Sequence, residues 1–90
     1  MSHPEFTKDL YVEWMRLAWT TMNLTRVSMF RGYELVWQIL DHGNYIVVNF
    51  PDGTDLKYSW PINGSMHLDM MLSDINRELD RLVIREVLLS

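Results

Sequence analysis

Cysteine is absent from this chain. That excludes disulfides, a thiolate zinc site and a thiol nucleophile, and it makes a reducing cytoplasm the expected compartment. Basic residues are few: 8 Lys and Arg stand against 12 Asp and Glu, a net charge of -4. Sequence-independent nucleic-acid binding runs on Lys and Arg, so that class is disfavoured. No apolar run approaches the roughly 18 residues needed to span a bilayer, so no membrane partner is expected. The start of the chain has no basic segment leading into an apolar stretch, and no secretory signal is expected. Repeats, low-complexity tracts and linkers are also missing. What remains is 90 residues, 48% hydrophobic and 22% charged. That is too apolar for a disordered chain and the right length for a single domain over 1–90.

Periodicity divides the chain. Phe6, Leu10, Trp14, Leu17, Ala18 and Thr21 recur at steps of three and four, which predicts an amphipathic helix from about residue 4 to about 24. Ser2 or His3 would cap it, with Pro4 in the first turn. Residues 25–31 contain no strong breaker, and Gly32 is the first. From Tyr33 the period becomes two. Strands are expected over 33–40, 45–50 and 55–60. Ser65 would then cap a second helix over 66–88, with Leu68, Met71, Leu72, Ile75, Leu79, Leu82 and Val83 as its buried stripe.

Turn chemistry sets the expected registers. A two-residue turn at Gly43-Asn44 would place Leu40 opposite Val47 and Trp37 near Phe50. A three-residue loop Pro51-Asp52-Gly53, with Gly53 left-handed, would place Val48 opposite Leu56 and Ile46 opposite Tyr58. The expected fold is α+β, in the order α-β-β-β-α. A three-stranded antiparallel meander forms one layer, and two helices lie on one of its faces. Trp37 and Trp60 should be buried there, with Leu79 packing against them.

No pattern of residues carries chemistry. His3, His42 and His67 have no metal-binding spacing, and His67 and Asp69 diverge on a helix. His42 reads as a solvated turn residue. Asp52-Gly53-Thr54-Asp55 lacks the alternating acids and later glutamate of a calcium loop. No nucleophile elbow or phosphate-binding glycine loop occurs. The expectation is therefore no enzyme, no catalytic residue, no metal and no cofactor.

Two surfaces stand out. Val36, Leu40, Tyr45 and Val47 fall on the sheet face that the two helices leave open. They are rimmed by Glu34, Gln38, Asn49, Asp55 and Lys57, a pattern expected of a protein interface. Arg77, Arg81 and Arg85 form a ridge on the second helix, which could grip an acidic partner or a phosphate backbone. The expected function is that of a small acidic binding protein that occludes a surface of a protein or nucleoprotein partner. Phage-type inhibitors, immunity proteins and chaperones share this size and charge. The alternatives are a homo-oligomeric structural or accessory subunit, and a nucleic-acid-binding module using the arginine ridge.

Overall fold

A computed structural model describes residues 3–59 and 65–89; the side chains of 65–67 lie outside the description. The chain is α+β, with two helices and one antiparallel sheet. The elements are α1 (Lys8–Thr20), β1 (Leu24–Phe30), β2 (Tyr33–Leu40), β3 (Tyr45–Asn49), β4 (Asp55–Ser59) and α2 (Ser65–Leu89). The strands pair in chain order, β1-β2-β3-β4. The sheet is thus a four-stranded meander, one strand more than the sequence pattern predicts.

The additional strand occupies the stretch after the expected first helix, to which the sequence pattern assigns no element, and α1 itself is shorter than expected at both ends. Thr7 is the N-cap, and its side chain accepts from the Leu10 N–H at 3.1 Å. Pro4 to Phe6 run extended ahead of it. The Phe6 N–H donates to the Met29 carbonyl and the Met29 N–H to the Pro4 carbonyl, each at 2.8 Å, so this segment covers part of the β1 edge. Pro4 has no N–H to offer a ladder, which suits an edge position. At the other end the Thr20 hydroxyl bonds back to the Leu17 carbonyl, and Thr21 is already extended. Two consecutive threonines end the helix without a glycine.

β1 turns into β2 through Arg31-Gly32, both with positive φ (53° and 81°). This is the mirror-image turn that matches strand twist, and Gly32 supplies part of it at no steric cost. The β2–β3 connection departs from expectation. A tight 3-10 turn, Asp41–Gly43, replaces the two-residue loop. Leu40 therefore faces Tyr45 rather than Val47, and Trp37 faces Val48 rather than Phe50. The slip is two residues, so every side chain keeps its face. The β3–β4 hairpin has the expected register, Val48 with Leu56 and Ile46 with Tyr58, and Gly53 has a φ of 91°.

The core lies between one sheet face and both helices. Leu24, Leu35, Trp37, Ile39, Ile46, Val48 and Phe50 come from the sheet side, Tyr11, Trp14 and Ala18 from α1, and Leu68, Met71, Ile75, Leu79 and Leu82 from α2. Phe6 stacks on Trp37 with ring centroids 4.7 Å apart. Trp37 and Leu79 are buried as expected. Trp60 lies outside the described residues. Leu17 (40% exposed) and Val83 (38% exposed) do not join the core, contrary to the helical stripes drawn from sequence. Val83 lies about 100° around α2 from the buried Leu82 and turns toward solvent, although Arg85 and Glu86 beyond it still reach Asp52 and Tyr33.

Candidate association face

The strand registers arrange the other face of the sheet as a grid. One row reads Val27, Val36, Asn49, Asp55 from β1 to β4, and the next reads Thr25, Gln38, Val47, Lys57. Beyond the second row, Leu40, Tyr45 and Ser59 lie side by side. Beyond the first, Met29 is opposite Glu34, with Glu5 bridged to Met29 at the β1 edge. Both helices send their buried residues to the core on the opposite side. No described element is packed over this face.

The four sequence-predicted face residues are brought together here. Leu40 and Tyr45 are direct cross-strand partners, and Val47 is next along β3 on the same face. Val36 faces Asn49 and is diagonal to Val47. Val47 is the most enclosed at 7% exposure, because neighbours on both flanking strands surround it. Val36, Leu40 and Tyr45 are half-buried. β1 adds Thr25, Val27 and Met29, from the 25–31 stretch to which the sequence pattern assigns no element. Their period-two spacing ahead of Arg31-Gly32 is a weak signal, because Arg26 and Ser28 occupy the alternate positions.

The polar residues at the centre of the face are linked to each other. The Asn49 Nδ2 donates to Gln38 Oε1 at 3.2 Å and to the Val36 carbonyl at 3.3 Å. A layer placed over the face leaves these two bonds intact, while Gln38 Nε2 and Asn49 Oδ1 must exchange water for a new partner. At the rim, His3 lies 3.8 Å from Glu34. Asp55 and Lys57 form no ion pair among the described residues.

The arginine ridge has a different character. Arg77 pairs with Asp74 at 3.5 Å, Arg81 with Glu78 at 2.9 Å and Arg85 with Asp52 at 3.3 Å. The Asp52 carboxyl is held below its ordinary range, chiefly by the Thr54 hydroxyl bonded to it at 2.7 Å. Each guanidinium thus has an acid of this chain beside it, and its head remains largely in water. Such exposed pairs contribute little stability.

His42 sits exposed in the 3-10 turn with a φ of 57°. His67's side chain lies outside the described residues. Among the described residues no three metal-ligating side chains converge. No described helix is long and apolar enough to cross a membrane. No protein-family model, curated protein or solved structure matches the chain.

Proposed function

We propose that this chain is a small acidic binding protein that works by occluding a surface of a protein or nucleoprotein partner, in the manner of a phage-type inhibitor, an immunity protein or a chaperone. Its working surface is the outer sheet face around Val36, Leu40, Tyr45 and Val47. The observation that carries the reading is the one-sided packing: both helices cover one face, and the other presents aliphatic and aromatic groups around an internally bonded polar pair. A rim bearing Glu34, Asp55 and Lys57 would set orientation and encounter rate more than affinity. The reading involves no catalysis, metal or cofactor, and a cysteine-free chain suits a cytoplasmic setting. The arginine ridge ranks second as a binding surface, since acids of the same chain already accompany its three cations.

The test compares the parent with a Leu40→Glu, Val47→Lys double variant in affinity capture from a host lysate, with mass determination of the complex. The variant must retain the parent's circular dichroism spectrum. The parent should retain a partner that the folded variant loses. Equal capture by both would move the working surface elsewhere, with the arginine ridge next in line.

A further inference from the structure

The charges at the β4 edge of the outer face are self-complementary under one particular rotation, which also sets Leu40 of one copy against Glu34 of the other. Take a two-fold axis lying in the face and perpendicular to the strands, between the row of Val27, Val36, Asn49 and Asp55 and the row of Thr25, Gln38, Val47 and Lys57. Each strand then lies over its own counterpart, and the order of rows is reversed. Asp55 faces Lys57 of the second copy, and symmetry repeats that contact with the roles exchanged. Asn49 faces Val47 of the second copy, and Val36 faces Gln38. One bond already joins the two amides, Asn49 Nδ2 to Gln38 Oε1, and it survives covering, while Gln38 Nε2 and Asn49 Oδ1 need a trapped water or a polar group of the second copy. A two-fold axis parallel to the strands does the opposite. It lays Asp55 against Val27 and Lys57 against Thr25, leaving both charges unmatched.

We propose that a second copy of this chain closes the outer face, packed sheet to sheet about the first axis, with Asp55 of each copy paired to Lys57 of the other. This rests on the reading of the face as an association surface and names its occupant. The assembly is a four-layer α/β/β/α sandwich with an isologous interface. Charge supports a second copy on its own terms. Asp55 and Lys57 are exposed, of opposite sign, two residues apart on one face of β4, and without an ion pair among the described residues. The face is small. Four strands about 4.8 Å apart and about five residues long give roughly 300 Å² of flat area per copy, below the roughly 800 Å² per partner of a stable complex. The dimer is therefore concentration-dependent rather than obligate.

Sedimentation velocity from about 1 µM to about 500 µM tests this, with each variant first matched to the parent by circular dichroism. The parent should pass from monomer to dimer. Asp55→Lys and Lys57→Asp should each weaken dimerisation by about tenfold or more, because each creates two like-charge contacts. The double swap should restore the parent's dissociation constant to within about threefold. Leu40→Glu should also weaken the dimer, since it stands away from the β4 edge. A parent that stays monomeric throughout overturns the second copy but leaves the occlusion reading to the lysate capture. A dimer unaffected by the single swaps, or by Leu40→Glu, overturns this geometry in favour of another contact, such as pairing of β4 edges.

Discussion

The Trp37 indole N–H donates to the Ser28 hydroxyl at 2.9 Å, and both side chains are completely buried. Ser28 is the one buried polar side chain of the described core, and Trp37 is the largest side chain fully enclosed there. The pair explains a position that the hydrophobic pattern gets wrong. A serine belongs inside here because an indole N–H under two helices would otherwise have no acceptor.

Ser28→Ala should therefore destabilise the protein by about 1–3 kcal/mol, the cost of an orphaned buried donor. Adding Trp37→Phe should not cost the full sum of the two single changes, because the orphan is removed with the indole. Urea unfolding of the two single variants and the double variant measures the coupling. Strict additivity would mean that the hydrogen bond contributes nothing.

Trp37 itself is packed by Phe6 and by Trp14, whose ring centroids lie 4.7 Å and 5.7 Å away. Trp37→Ala should cost about 3–5 kcal/mol. A loss under about 1 kcal/mol in chemical denaturation would place the wrong sheet face inside.

Thr7, not the residues before Pro4, starts α1. Thr7→Ala should cost about 0.5–2 kcal/mol, as loss of a helix cap does. His3→Ala should leave stability within about 0.5 kcal/mol, as expected of a surface change. Thermal melts of the two variants suffice, and equal losses would mean that the cap is not at Thr7.

Arg31 ties the β1–β2 turn to α2. Its Nη1 donates to the Asn76 carbonyl and to Asn76 Oδ1, and its Nη2 to Asp80 Oδ1 at 2.8 Å. The pair is well exposed, so Arg31→Ala should cost about 1 kcal/mol or less, diminishing in high salt. Arg31→Gly loses the same contacts but relieves a left-handed backbone with φ of 53°. It should be more stable than Arg31→Ala by up to about 1–2 kcal/mol. The ranking of the two variants in urea checks the turn geometry.

Alkaline stability should depend on two tyrosines. Burial pushes the Tyr11 hydroxyl up from 10.0 to about 12. Burial also raises Tyr58, and its bond to Asp74 at 2.6 Å adds to the effect. A raised folded-state value means that the native state holds the proton more tightly. The associated stability is complete below pH 10 and declines as pH climbs through the folded values. The melting temperature should fall above pH 10, and Tyr11→Phe should flatten that fall between pH 10 and 12. An unchanged slope in Tyr11→Phe would assign the alkaline transition to other groups.

Much of this architecture is local in origin, and that part is legible in the sequence. The α2 stripe of Leu68, Met71, Ile75, Leu79 and Leu82 follows from a 3.6-residue period. The β3–β4 register follows from Pro51-Asp52-Gly53, where Gly53 meets the need for a left-handed residue. The sequence pattern places Val36, Leu40, Tyr45 and Val47 on the outer face even though it predicts a β2–β3 register two residues away. A strand's side chains alternate with period two, and an even slip preserves the face.

Other features depend on what lies across the fold. Leu24–Phe30 presents Arg26 and Ser28 on the core-side positions of β1, so its alternation reads as polar. Only the pairing with β2 makes a strand of it, and only the Trp37 indole makes Ser28 a core residue. The Asp41–Gly43 turn is likewise held from outside, since the His42 N–H donates to the Met22 carbonyl at 3.0 Å. The sequence by itself determined the helical and strand periods, the turn residues and the α+β class, because these arise from neighbours a few positions apart. Tertiary structure decided the fourth strand, the first cap, the β2–β3 register and which side of α2 is covered at Val83, because each depends on a partner distant in the chain.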